Sequence, residues 1–185
     1  MDLLKTPLND LFVIKPKVLF DNRGYFYESY SQIRMPTTYQ NISFVQDNQS
    51  FSYQKGTLRG IHFQNDPKAQ SKLVRCIQGS IWDIAVDLRV GSPSYLKWYG
   101  VELTPQNYLQ LFIPKGFGHA FITLSENTIV AYKVDEYYSK EHDRSIRFDD
   151  DYLKIDWKNF TPILSEKDLK APFLKDSDVN FKYKL

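Results

Sequence analysis

The chain holds three histidines, and two of them, His62 and His119, stand in glycine-bearing segments that could carry chemistry. His62 lies in Gly56-Thr57-Leu58-Arg59-Gly60-Ile61-His62-Phe63-Gln64, and His119 closes Pro114-Lys115-Gly116-Phe117-Gly118-His119. An imidazole titrates near neutrality and is suited to general-base work. Such a base needs a partner, usually a carboxylate, to fix its tautomer and stabilise the imidazolium. Acids and electrophiles are available in Tyr132, Lys72, Arg59 and Arg23, but spacing alone does not choose among them. Each also has a plain structural alternative: Tyr132 as a core aromatic, Lys72 as a solvated strand residue, Asp168 as the last member of a helix cap. The third histidine, in Lys140-Glu141-His142-Asp143-Arg144, reads as a solvent-exposed loop residue.

Together the two segments resemble the halves of the cupin barrel signature. In metal-binding cupins the first half runs glycine, five residues, His-x-His and then a glutamate. Here Gln64 takes the place of the second histidine, and Lys68 and Ala69 fall where the glutamate would be. A metal would need further ligands on facing strands. Glu28 or Asp83 could be drafted, yet no spacing requires either.

Around these residues the chain reads as one mainly β domain spanning 1–185. Ile81-Trp82-Asp83-Ile84-Ala85-Val86-Asp87-Leu88 alternates, with Trp82, Ile84, Val86 and Leu88 on one face. The 128–138 segment alternates likewise. Further strands are expected over 13–20, 24–29, 42–48, 58–63, 73–77, 96–102 and 109–113, separated by turn signals such as Asp21-Asn22-Arg23-Gly24 and Gly91-Ser92-Pro93. Many short strands at this spacing argue for an antiparallel sandwich or barrel, and a jelly roll answers the edge problem. Helical signals are few: a short helix over 31–39 cut by Pro36, and a capping-box pattern at Ser165-Glu166-Lys167-Asp168.

Composition bounds the partners. Hydrophobic residues make up 42% and aromatics 16%, with 13 Tyr and 13 Phe, which suits pleated sheets or a ring-lined pocket. A formal net charge of only +2 does not suggest a nucleic-acid or anionic-membrane surface. A few arginines in a pocket could still bind phosphate. The single cysteine, Cys76, excludes an internal disulfide framework and fits a reducing compartment. With no signal peptide and no apolar run of the ~18 residues a span needs, a cytoplasmic protein is expected.

From about Phe12 to Pro172 the chain resembles the dTDP-4-dehydrorhamnose 3,5-epimerase family. The resemblance rests on Asp21-Asn22-Arg23-Gly24-Tyr25-Phe26-Tyr27-Glu28-Ser29, Phe44-Val45-Gln46-Asp47-Asn48, Leu58 to Gln64, and Lys72-Leu73-Val74-Arg75-Cys76. It continues through Val86-Asp87-Leu88-Arg89, Ile113 to His119, Tyr132-Lys133 before Tyr137-Tyr138, and Leu164 to Asp168.

The resemblance implies an all-β, cupin-type jelly-roll barrel with a few short helices, forming a homodimer and using no metal or other cofactor. It implies a nucleotide-diphosphate 4-keto sugar as substrate, with no nucleic acid and no membrane as partner. The C4 ketone acidifies the hydrogens at C3 and C5, so a base can remove one and reprotonation from the opposite face inverts the centre. By resemblance His62 is the base, Asp168 its partner, Tyr132 the acid and Lys72 the group that stabilises charge on the C4 oxygen. Substrate binding is carried over to Arg23, Phe26, Glu28, Gln46, Asp47, Asn48, Arg59, His119, Asp143 and Lys167. The expected reaction is inversion of C3 and C5 of dTDP-4-dehydro-6-deoxy-D-glucose. The alternative is a single-carbon epimerase acting on this or another nucleotide-linked 4-keto sugar. One geometric point is open: Arg59 and His62 differ by an odd number, so an ideal strand points them to opposite faces unless Gly60 marks a bulge.

Overall fold

In the computed structural model, which describes residues 1–183, thirteen strands follow in chain order. They are β1 (Asp2–Lys5), β2 (Phe12–Lys15), β3 (Leu19–Asp21), β4 (Gly24–Phe26), β5 (Gln46–Ser52), β6 (Leu58–Gln64) and β7 (Lys72–Gln78). Then come β8 (Ile81–Asp87), β9 (Trp98–Leu103), β10 (Gln110–Ile113), β11 (Phe117–Thr123), β12 (Thr128–Val134) and β13 (Asp143–Ser145). One sheet has the order β1-β2-β10-β7-β12-β5 and the other β13-β6-β11-β8-β9, while β3 and β4 form a separate hairpin. All strand pairs are antiparallel. The expected all-β jelly-roll architecture is present, with one four-residue helix, α1 (Glu166–Leu169), and three 3₁₀ turns.

Burial follows strand parity. Val74 and Cys76 of β7 and Val130 of β12 meet Ile81 and Ala85 of β8 and Phe117 and Phe121 of β11 between the sheets. Ile84, Val86, Ala120 and Ile122 point the other way and are covered by the chain after β13, through Ile146, Leu153, Ile155, Trp157 and Phe181. The five-stranded sheet is therefore buried on both faces. That is why Asp83 and Asp87, the polar face of the alternating strand, are fully buried rather than solvated.

Two expected strands shift for physical reasons. The 42–48 segment meets β12 only from Val45 onward, whose N–H donates to Val134 O at 2.9 Å, because Ile42 and Phe44 pack onto the cluster that holds Phe112 and Ile14. In its place Gln46–Ser52 pairs with β12, turning Gln46, Asn48 and Ser50 inward although no apolar alternation marks them. Pro16 ends β2, so the 13–20 segment divides into β2 and β3. The Ser31–Tyr39 region forms two 3₁₀ turns interrupted at Pro36, as the proline dictates.

Candidate active site

Between the two sheets, beyond the aliphatic cluster, lies a cavity of about 590 Å³. The five-stranded sheet contributes Arg59, His62 and Gln64 from β6 and His119 and Phe121 from β11. Gln46, Asn48, Lys72 and Tyr132 face them from the six-stranded sheet, and the loop before α1 closes one side.

Both Arg59 and His62 line this cavity because β6 carries a bulge. His62 pairs with His119 and Arg59 with Phe121, so three steps on β6 match two on β11. Gly60 occupies the irregularity at φ +123°, and a Cβ there would lie 2.6 Å from both Ala120 Cβ and His119 O. Only glycine fits that approach.

The Nε2 of His62 lies 2.5 Å from Oδ1 of Asp168. Asp168 is buried at 3% exposure, in the first turn of α1. Ser165 caps that turn by accepting from Asp168 N at 3.2 Å, and its hydroxyl donates to Asp168 Oδ2 at 2.9 Å. The capping-box aspartate thus divides its carboxylate, one oxygen meeting the histidine and the other the cap hydroxyl. Burial alone would push the Asp168 carboxyl up, but hydrogen bonds from His62, Ser165 and the Gly60 backbone N–H outweigh it and hold the pKa below the usual carboxylate range. The carboxylate accepts from Nε2–H, which leaves the Nδ1 lone pair as the basic position of the ring.

Across the cavity Tyr132 is half-buried, and burial chiefly raises the pKa of its phenol, with Arg59 opposing and Asp143 adding to the rise. Lys72 sits beside it, its Nζ 5.9 Å from the centre of the Tyr132 ring and donating to His62 O at 3.5 Å. Burial lowers its pKa to about 8, partly offset by Asp83 and Asp143 and assisted by Lys167. His119 is hydrogen-bonded through Nε2 to Asp83 at 2.8 Å, and burial favours the neutral form of both, lowering the histidine and raising the aspartate.

Of the ten expected binding residues, six line the cavity: Gln46, Asn48, Arg59, His119, Asp143 and Lys167. Asp143 and Lys167 are joined by a 2.5 Å ion pair at its rim. Four do not. Asp47 lies on the opposite face of β5, paired with Lys133 at 2.8 Å, because adjacent strand residues point to opposite faces. Arg23 and Phe26 ride on the exposed β3–β4 hairpin, Arg23 bound to Asp21 at 2.6 Å, and Glu28 pairs with Arg34 at 2.7 Å. Within a single chain these three are outside the cavity.

Some functional neighbours carried no expectation of a role. Tyr138 lines the cavity from the segment after β12, and Ser165 orients Asp168. The doubled Tyr137-Tyr138 was the available signal for the first, and the Ser165 cap pattern for the second. Among the described residues no three His, Cys, Asp or Glu side chains gather as a metal site. His62 and His119 each commit one ring nitrogen to an aspartate side chain. The arrangement offers a carboxylate-backed base on one sheet, with a phenol and a lysine facing it on the other: the equipment for moving a proton across a bound carbonyl compound.

The family model described as dTDP-4-dehydrorhamnose 3,5-epimerase matches residues 5–176. The dTDP-4-dehydrorhamnose 3,5-epimerase of Sinorhizobium fredii is 46% identical over 172 residues, covering 92% of this chain and 88% of that protein. The crystal structure of the Elizabethkingia anophelis enzyme of the same name superposes with a TM-score of 0.91 at 48% identity, covering 96% of this chain and 98% of its own. A 3,5-epimerase from Legionella pneumophila, solved in complex with dTDP-4-keto-L-rhamnose, superposes with a TM-score of 0.92 at 41% identity, covering 100% and 99% of the two chains.

Proposed function

The chain belongs to the dTDP-4-dehydrorhamnose 3,5-epimerase family, and we propose that it converts dTDP-4-dehydro-6-deoxy-D-glucose to dTDP-4-dehydro-L-rhamnose by inverting C3 and C5. The observation that carries the catalytic reading is the placement of His62, backed by Asp168, and Tyr132 on opposite sheets with the cavity between them.

The C4 carbonyl makes the adjacent C–H bonds acidic. His62 removes a proton from one face, the electron pair moves to the C4 oxygen, and the enolate is stabilised by the Lys72 ammonium. Such preorganised donors supply about 3 kcal/mol each. Tyr132 then delivers its proton to carbon from the opposite face, the carbonyl re-forms, and the centre is inverted. Asp168 holds the imidazolium in place until its proton passes to solvent and the Tyr132 phenolate is reprotonated from solvent, which readies both groups for the second carbon. A raised phenol pKa suits this role, since Tyr132 keeps its proton until a basic enolate carbon is present. Arg59, at the cavity, suits the diphosphate. Gln46 and Asn48 offer amides to the sugar or base, while Asp143 and Lys167 close the rim.

The proposal extends to a homodimer built from one-domain chains 1–185. Its support is the β3–β4 hairpin, which exposes Leu19, Phe20, Tyr25 and Phe26. In a dimer that hairpin would carry Arg23 and Phe26, with Glu28 just beyond, toward the partner's cavity. Asp47 lies on the outer face of β5, paired with Lys133. A monomeric mass by light scattering would contradict the dimer. The free thiol of Cys76 is in keeping with a cytoplasmic setting. No helix among the described residues is long and apolar enough to cross a membrane.

The test is incubation of the 4-keto sugar nucleotide with the protein, followed by NMR of the product. Coupling constants of the L-rhamno configuration support the reading. Inversion at C3 alone would reduce the protein to a single-carbon epimerase.

A further inference from the structure

Gln64 follows His62 by two residues on β6, on the same inward face, and is 3% exposed. Its amide is spent on backbone. Nε2 donates to Lys68 O at 2.7 Å and to Tyr137 O at 3.2 Å, and Oε1 accepts from Ser139 N at 2.7 Å. Both amide protons are used, so the orientation of the group is fixed by its partners.

Two of these bonds grip the strap that follows β12 at residues 137 and 139, one on either side of Tyr138. The Tyr138 side chain lines the cavity and donates to Asp143 Oδ2 at 3.3 Å, yet the residue is 60% exposed. Other ties flank these: Gln70 Nε2 donates to Glu136 O at 2.7 Å, Ser139 Oγ meets His142 Nδ1 at 2.8 Å within the strap, and Asn65 N donates to His142 O at 2.9 Å. Packing does not bury Tyr138, so its position depends on the backbone beneath it, and Gln64 fixes that backbone on both sides.

We propose that Gln64 is a positioning residue that locks the strap carrying Tyr138 to the strand carrying the base, and so sets the width of the cavity rim around the bound substrate. The inward position that a His-x-His pair would give to a second metal ligand here serves as a clamp. Released from it, the strap would have to be ordered by the ligand, and that cost would weaken binding rather than slow proton transfer. The substrate in this statement rests on the epimerase reading; the clamp itself does not.

Gln64→Met, similar in volume but unable to make any of the three bonds, tests this alongside Tyr138→Ala and the double variant. The expected result is faster amide hydrogen exchange at Ser139 and a KM for the 4-keto sugar nucleotide raised about tenfold, with kcat within about threefold. If Gln64 acts through Tyr138, the double variant has the KM of Tyr138→Ala alone. A KM unchanged in Gln64→Met, or effects that simply multiply in the double variant, would overturn the proposal. Should Gln64→Met fold poorly, Gln64→Glu keeps the acceptor for Ser139 N but loses both donors, and must still raise KM. If the wild-type protein did not epimerise the sugar, the function would fall. Exchange at Ser139 would still decide the clamp.

Discussion

His62 and Asp168 lie 106 residues apart in sequence, yet Nε2 of one and Oδ1 of the other are 2.5 Å apart, with the carboxylate almost wholly shielded from water. The contact turns an isolated ring into an oriented base, since a buried ionised acceptor fixes which nitrogen carries the proton. It also ties α1 to β6, so the proposed base and the docking of the C-terminal region share one hydrogen bond.

Asp168→Asn should therefore lower kcat by about 10³- to 10⁴-fold, as loss of the orienting carboxylate does in other His–Asp pairs. Steady-state kinetics with circular dichroism would check this. A folded variant with kcat within tenfold of wild type would show that His62 needs no carboxylate.

Lys72 makes activity and stability respond to alkali in opposite senses. With its pKa lowered to about 8, the ammonium proposed to stabilise the C4 oxygen is lost above that pH, so kcat/KM should fall on the alkaline side of pH 8. Between 8 and the 10.5 of a solvated lysine the unfolded chain binds more protons than the folded one. This group's contribution to stability therefore grows as pH rises and vanishes as pH falls through 8. A kcat/KM profile flat to pH 10 would remove Lys72 from the charge-stabilising role.

Gly60→Ala should destabilise the fold and damage catalysis together, because its Cβ meets Ala120 and the carbonyl of His119 at a positive φ. A loss of about 1–3 kcal/mol or more in denaturant unfolding is expected. Wild-type stability and activity would mean that the bulge does not set the direction of His62.

Much of this fold was legible because strand alternation and turn residues report local structure directly, as Ile81–Leu88 shows. Gln46–Ser52 escaped because its inward face lines the cavity and is polar, removing the apolar alternation that marks a strand. Phe117–Thr123 escaped for the reverse reason: buried on both faces, it reads as a continuous run after a turn. Within the site, His62 and His119 stood out by spacing. The Asp168 partnership is a long-range contact that no local pattern encodes, and only the family resemblance pointed to it. Asp47 was grouped with Gln46 and Asn48, which face the cavity, while alternation along β5 turns it to the opposite face, onto Lys133.

Tyr132→Phe removes the proposed proton donor but leaves His62 and Lys72 in place. It should slow formation of inverted product more than it slows exchange of substrate hydrogens with solvent, a ratio readable by NMR in D₂O. Unchanged turnover would exclude Tyr132 as the acid.

Solvent exchange at carbon tests the central claim most directly. In D₂O the wild-type protein should place deuterium at both C3 and C5 of the 4-keto sugar nucleotide, and folded His62→Ala should place none at either. Exchange that persists in His62→Ala, or no deuterium at either carbon with the wild-type protein, would contradict proton abstraction by His62.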